Sequence, residues 1–338
     1  MKVLILGGTG VISRSIVEQL LARGDEVTLY NRGNSTLKFK GAVGQIIGDR
    51  SDRATFESAM KQQKFDVVID MICFNAEDAA STVRAFGGHT GQIIVTSSVA
   101  AYKRPYRTVP TVESAEELWD DPDSFGYAYH KAEVERCLQK AIQADKLPIT
   151  IIRPSLTYGP GAANLGVLRQ NYGIIDRIKK GKPLVMFGDG TGSWTWTFAP
   201  DLAKAYVMAA GNAKTHGEVY HIASDEVHVW DDLYLEFGRI VGIEPKIVHI
   251  PSELLRQADP GLFSHLWYEK TYAGLFDISK FKAANPGYKM DVTLSEGIKG
   301  IAAWFEAEAN KVDPAKDAME DKLVAVYNGW SEQMKTLF

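Results

Sequence analysis

The 338-residue chain has only two cysteines, Cys73 and Cys137. A disulfide framework needs many paired cysteines and a structural metal site needs clustered ones, so neither device organises this sequence. The two thiols read as small core residues, and no His/Cys/Asp cluster points to a metal. The chain also lacks any run approaching the roughly 20 apolar residues that span a bilayer. Its opening Met1-Lys2-Val3-Leu4-Ile5-Leu6 is apolar only briefly, ends in glycines and has no A-x-A-like site after it. We therefore read it as a strand and not as a secretory signal, and expect a cytoplasmic protein. Charge of one sign is missing too: 38 Lys and Arg stand against 42 Asp and Glu, a net charge of −4. The isoelectric point is near 6.0. That balance carries no electrostatic footprint for nucleic acid or an anionic membrane, and neither partner is expected. Low-complexity tracts, flexible linkers and solenoid-period repeats are absent.

What is present is the composition of a folded globular protein, 45% hydrophobic and 24% charged. Through the first 155 residues one unit recurs, an apolar run followed by an amphipathic helix. Val3–Leu6, Glu26–Tyr30, Gln45–Ile47, Phe65–Asp70, Gln92–Thr96 and Ile149–Ile152 read as strands. Helical spacing marks Ser13–Arg23, Ala54–Gln62, Ala76–Phe86 and roughly Tyr127–Ala144. Short continuous apolar strands alternating with helices imply an α/β fold, a doubly wound parallel sheet with helices on both faces. After Gly161 helical stretches dominate. We expect residues 1–160 to form a dinucleotide-binding domain, rejoined by about 199–224 through a strand at Glu218–Ile222. Residues 161–198 and 225–338 are expected to form a smaller, mostly helical substrate-binding region. It ends in a helix over about Asp313–Phe338 anchored by Tyr327 and Trp330.

Directly after the first strand comes Gly7-Gly8-Thr9-Gly10-Val11-Ile12-Ser13. A pyrophosphate needs close backbone approach, which glycine permits, and a helix N-terminus supplies free N–H groups and partial positive charge. The strand–turn–helix context turns a weak glycine pattern into a strong one, and makes Gly7, Thr9, Gly10, Val11 and Ile12 candidate cofactor contacts. Ser13 stands where a third glycine is usual, and we read it as a tolerated packing variant. The second strand ends in Asn31-Arg32. No carboxylate there repels a 2′-phosphate and Arg32 offers it a partner, so NADP is favoured over NAD, with both kept open. Asp49-Arg50, past the third strand, are candidates for the adenine edge.

Tyr127 and Lys131 lie at i and i+4 of a predicted helix, on one face. A free tyrosine has a pKa near ~10. A lysine ammonium beside it favours the phenolate and brings the group toward working pH. Ser98, after the fifth strand, is placed to hydrogen-bond a substrate oxygen. These three are the candidate catalytic residues.

At this point the chain resembles the extended short-chain dehydrogenase/reductases of the NAD-dependent epimerase/dehydratase family, over about residues 1–305. The resemblance rests on Gly7…Gly10, Ser97-Ser98…Tyr102, Tyr127…Lys131, the run Arg153-Pro154-Ser155-Leu156-Thr157-Tyr158-Gly159-Pro160-Gly161, and Asp201-Leu202-Ala203-Lys204-Ala205. It implies a Rossmann fold, with Tyr127 as general acid/base and Ser98 orienting the substrate oxygen. It also implies Lys131 lowering the tyrosine pKa and holding the nicotinamide ribose, and Ser97, Pro154, Ser155 and Leu156 near the cofactor. The chain departs from the family in three places. Leu156 stands where sugar-nucleotide members usually carry asparagine. Trp194 stands where they carry a diphosphate-clamping arginine, which an indole cannot replace. Val99-Ala100 stand where the dehydratase branch has Asp-Glu. The expected substrate is therefore a small hydroxyl- or keto-bearing molecule without a diphosphate, with Trp194 and Trp196 candidates to stack on it. Oxidoreduction, epimerisation with retained NAD, and non-catalytic binding remain three readings. The third follows from a further similarity to chloroplast stem-loop RNA-binding relatives. A homodimer is what the family suggests.

Overall fold

A computed structural model describes residues 1–161, 165–309 and 311–338. Along the chain run β1 (Lys2–Leu6), α1 (Val11–Arg23), β2 (Glu26–Asn31), β3 (Gly44–Ile47), α2 (Arg53–Lys61) and β4 (Val67–Asp70). Then come α3 (Ala76–Phe86), β5 (Gln92–Thr96), α4 (Gly126–Asp145) and β6 (Ile149–Pro154). Each expected strand and helix is present, with its ends shifted by at most a few residues. The sheet has seven strands in the order Val219–Ile222, β6, β5, β4, β1, β2, β3, and every neighbouring pair is parallel.

The strands are apolar throughout because both faces are covered. Val3 and Ile5 point to one side and pack with Ile16, Val17 and Leu20 of α1. Leu4 and Leu6 point to the other and pack with Phe56, Met60, Ala79 and Phe86 of α2 and α3. The four apolar side chains of β1, Val3 to Leu6, are fully buried, each contributing about 1.5–3 kcal/mol relative to exposure. The chain order reverses between β1 and β4. That reversal leaves a crevice outside the strand carboxyl ends, where ligands bind in sheets of this kind.

The chain divides into two compact units. The first comprises Met1–Thr157, Thr197–Ser224 and Phe276–Asp291. The last of these segments was expected in the second region. It joins the first because Phe276, Ile278, Phe281 and Tyr288 are buried in one core with Tyr206 and Tyr220. The second unit comprises Tyr158–Trp196, Asp225–Leu275 and Val292–Phe338. Its strands Leu184–Phe187 and Ile247–Ile250 pair in parallel, among helices that include Tyr172–Lys179, Asp232–Val241 and Leu294–Trp304.

On the terminal helix, Pro314–Lys335, Tyr327 is half-buried but Trp330 is exposed and anchors nothing. Glu320 and Val324 are the helix's buried residues. Glu320 accepts hydrogen bonds from the Val185 N–H at 2.7 Å and Gln170 Nε2 at 3.1 Å, and pairs with Arg177 at 3.2 Å. Among the described residues no helix is long and apolar enough to cross a membrane.

Candidate active site

The turn after β1 combines two kinds of glycine. Gly7 and Gly8 have φ of 104° and 96°, and a Cβ on Gly8 would lie 2.5 Å from Leu29 Cδ2. Backbone and packing thus both require glycine at position 8. Gly10 is different. It is the N-cap of α1 with φ −81°, and a Cβ there would meet only Ser13 Oγ, at 3.5 Å. Among the described residues nothing that a Cβ would meet demands glycine at this position. Ser13 is more than a packing variant. Its hydroxyl accepts the Gly10 N–H at 2.9 Å and donates to the Gly10 carbonyl at 3.3 Å, which locks the turn. Among the described residues no side chain caps the N–H groups of Val11 and Ile12, so they are available to an anion.

Beside this turn lies a cleft of about 630 Å³, within the range of small-molecule and cofactor sites. It brings together Gly7, Thr9, Asn31, Arg32, Asp49 and Arg50. Their tasks differ. Asn31 is occupied with structure: its Nδ2 donates to the Gly7 carbonyl at 3.1 Å and its Oδ1 accepts the Gly33 N–H at 2.9 Å. Arg32 is exposed at the cleft. Asp49 is exposed as well, and its carboxyl is held below the ordinary range by the N–H and hydroxyl of Ser51.

Arg50 does not present a free guanidinium to the cleft. It is 7% exposed and bonds to Asp70 at 2.6 Å and Thr82 at 2.5 Å. It neutralises Asp70, which is fully buried at the end of β4. Further residues that sequence reasoning missed also line the cleft, Arg53 and Phe74 among them. Arg53 donates to Asp78 at 3.1 Å. Phe74 follows the end of β4, is 55% exposed, and its ring centroid lies 5.2 Å from Lys131 Nζ. It thereby links the cleft to the second group of candidate residues.

That second group gathers where β5 and β6 end. Lys131 on α4 is 3% exposed. Its ammonium donates to the carbonyls of Cys73 at 2.8 Å and Thr96 at 2.9 Å. An ammonium has three donors, so one N–H has no protein partner among the described residues. Burial lowers the pKa of Lys131, while Cys73, Asp70, Glu135 and Asp78 oppose that fall. Tyr127 stands one turn earlier on α4 and is 49% exposed. Ser98 begins a short 3₁₀ turn, where its Oγ accepts the Ala100 N–H at 3.1 Å. The Ser97 hydroxyl is turned inward and donates to Glu135. Pro154 closes β6. Ser155 N–H donates to the Ile222 carbonyl at 3.0 Å, and its hydroxyl meets Thr197 Oγ1 at 2.5 Å. Leu156 is half-buried.

Trp194 and Trp196 do not offer ring faces to a ligand. They are 0% and 4% exposed and pack on Trp230 with ring centroids 5.4 Å and 4.9 Å away. Lys270 Nζ lies 4.4 Å from the Trp194 ring centroid. They are core aromatics of the second unit, and the expectation of substrate stacking is corrected accordingly.

A glycine at the N-cap whose Cβ position is nearly open, an uncapped helix N-terminus at the sheet's switch point, and a buried ammonium with a spare donor all fit a dinucleotide. They define an α/β enzyme that uses such a cofactor. The chain belongs to the NAD dependent epimerase/dehydratase family, whose profile matches residues 3–86 and 78–223. It is 28% identical over 253 residues to 2'-dehydrokanamycin reductase of Streptomyces kanamyceticus, covering 75% of this chain and 70% of that protein. It is 28% identical over 267 residues to the chloroplast stem-loop binding protein of 41 kDa b of Arabidopsis thaliana, covering 73% of this chain and 65% of that protein. Among solved structures, UDP-glucuronic acid 4-epimerase from Bacillus cereus in complex with NAD superposes with a TM-score of 0.73 at 20% identity, covering 91% of this chain and all of the other. At that identity the likeness concerns the fold.

Proposed function

We propose that this protein is an NAD(P)-dependent oxidoreductase of the short-chain dehydrogenase/reductase type, acting on a hydroxyl or keto group of a small, carbohydrate-like molecule. Tyr127 is the acid/base, exchanging a proton with the substrate oxygen while Ser98 donates a hydrogen bond to that oxygen. Lys131 lowers the tyrosine pKa and binds the nicotinamide ribose hydroxyls with its spare N–H. The bound dinucleotide supplies or accepts the hydride. Gly7, Thr9, Gly10, Val11 and Ile12 hold its pyrophosphate, Arg32 and Asp49 face its adenosine end, and Pro154–Leu156 flank the nicotinamide. Arg32 and the lack of a carboxylate at the end of β2 support NADP as the preferred form.

The observation that carries this reading is Lys131, an amine kept in a buried position and tied to the loop after β4 and the end of β5, one helical turn from an exposed tyrosine. Burying an ammonium is unfavourable unless it is paired and hydrogen-bonded, and the two carbonyls leave one of its N–H groups for a ligand. The test is Tyr127→Phe. It should abolish turnover while dinucleotide affinity stays within about twofold, and unchanged turnover would refute the assignment. A relative that is named as a reductase supports net reduction. Stoichiometric NAD(P)H oxidation with a ketone supports it against epimerisation, which would turn over with no net redox. The stem-loop binding relative motivates a check for RNA. Binding of RNA that survives Tyr127→Phe, together with no dehydrogenase activity, would overturn the enzymatic reading. Native mass spectrometry should find the dinucleotide co-purifying, with a homodimer as the expected mass.

A further inference from the structure

Behind the candidate catalytic residues lies a buried polar network that their proposed roles do not use. Glu135 is two helical turns beyond Tyr127 and one beyond Lys131, so the three share one stripe of α4. Its carboxylate is fully buried. It accepts the Ser97 hydroxyl and Arg153 Nε, the latter at 2.8 Å, and Arg153 Nη2 as well. Arg153, in β6, is 2% exposed. Its Nη1 also donates to Tyr102 Oη and to the Glu113 carbonyl, the latter at 3.0 Å. Tyr102 Oη in turn meets His221 Nε2 at 2.5 Å. One network therefore ties together the residue after β5, helix α4, strand β6 and the strand Val219–Ile222.

The order of residues at the end of β5 gives this network a purpose. The Thr96 carbonyl accepts from Lys131, Ser97 is held by Glu135, and Ser98 is the residue proposed to orient the substrate oxygen. Two consecutive residues, Thr96 and Ser97, thus bond to one face of one helix, Ser98 follows directly, and Ser97 is the one held by a member of a charge pair. A buried ion pair is weak evidence for stability, because its desolvation offsets its attraction, but it defines a geometry. Serine at position 97 has its hydroxyl committed inward, which argues against a direct cofactor contact.

We propose that Ser97, Glu135 and Arg153 act as a positioning unit that clamps the end of β5 onto α4, setting Ser98 and the Thr96 carbonyl in register with Tyr127 and Lys131. The inference rests on the catalytic reading of Tyr127, Lys131 and Ser98. Glu135 has a second influence of the same sign, since its negative charge favours the ammonium form of Lys131. Cys73, Asp70 and Asp78 act on that ammonium in the same direction, and the Phe74 ring also faces it.

The test is Ser97→Ala, which deletes one hydroxyl and leaves the Glu135–Arg153 pair intact. We expect kcat to fall at least about tenfold with the Kd for NADPH, measured by fluorescence titration, within twofold of the parent. Glu135→Gln keeps the acceptor for Ser97 and removes the charge. It should lower kcat and move the pH dependence of kcat to higher pH, as Lys131 loses its ammonium character and Tyr127 its activation. If Ser97→Ala leaves kcat within twofold, the clamp is refuted. If it weakens kcat and NADPH affinity together, Ser97 contacts the cofactor and the clamp is again refuted. Turnover that survives Tyr127→Phe refutes the catalytic reading itself, and is recognised separately because that variant does not touch the network.

Discussion

Replacing Gly10 by alanine separates what the chain needs for itself from what it needs for a ligand. The backbone at Gly10, φ −81° and ψ 175°, is open to any residue. A methyl group there would meet only Ser13 Oγ, at 3.5 Å, which is ordinary contact. The loss in stability is confined to the weaker N-cap preference of alanine, at most about 1 kcal/mol, or a few degrees in Tm. The effect on the dinucleotide is of another order. If a pyrophosphate approaches the N–H groups of Val11 and Ile12 as proposed, the methyl is expected to hold it off. Displacing a pyrophosphate from both would remove two charge-assisted hydrogen bonds of about 1.5–3 kcal/mol each. A loss of about 3–6 kcal/mol corresponds to roughly 10²- to 10⁴-fold in Kd.

Gly8→Ala provides the contrast. It forces a side chain at φ 96° and 2.5 Å from Leu29 Cδ2. The strain of positive φ, about 1–2 kcal/mol, adds to overpacking of about 1–3 kcal/mol. Gly8→Ala should therefore melt well below the parent, whereas Gly10→Ala should melt near it and bind NADPH poorly. Calorimetric titration and thermal melting read the two effects independently. If Gly10→Ala bound NADPH within threefold of the parent, the pyrophosphate would not lie over this helix, and the placement of the whole cofactor would fall.

Arg32→Ala should weaken NADPH about tenfold and NADH less than twofold; equal effects on both would remove the 2′-phosphate role. Arg50→Ala leaves the fully buried Asp70 without its cation and should cost about 3–5 kcal/mol in urea unfolding, against almost nothing if Arg50 were a solvated cleft residue. Burial holds the His221 imidazole down to about 3, against ~6.5 when unfolded. The unfolded chain therefore binds the extra proton between those values. Stability is complete above pH 6.5 and declines as the pH falls through that window, by up to about 1.4 kcal/mol per unit. His221→Asn should flatten that slope in denaturant titrations at successive pH values, and an unaltered slope would show that other groups govern it.

How much of this was legible in the sequence follows from how local each feature is. Strands buried on both faces read as unbroken apolar runs, and the helices between them keep a 3.6-residue period, so the alternation and the parallel sheet were visible directly. The return of Phe276–Asp291 to the first unit was not. Phe276 and Phe281 are apolar wherever they pack, and only their meeting with Tyr206 and Tyr220 decides the unit. The same limit applies to Trp194 and Trp196, whose rings are satisfied by Trp230, more than thirty residues on. Arg50 looked like an exposed cleft residue because Asp70, its partner, lies twenty residues away and had already been read as the end of a strand.

The site shows why spacing alone was sufficient for some roles and silent on others. The i, i+4 relation of Tyr127 and Lys131 is written into one helix. The anchoring of Lys131 is not, because its partners are the backbone carbonyls of Cys73 and Thr96, which every residue type carries equally. Glu135 continues the same stripe at the next turn, and its pairing with Arg153 depends on strand and helix meeting across the sheet. A carboxylate at that next position, one turn beyond Lys131 on the stripe that starts at Tyr127, was a signal open to sequence reading. It acquires meaning only once a buried arginine is found to need it. The chemistry proposed for Tyr127 is thus readable from one helix, whereas the geometry that would make it effective is distributed over four elements.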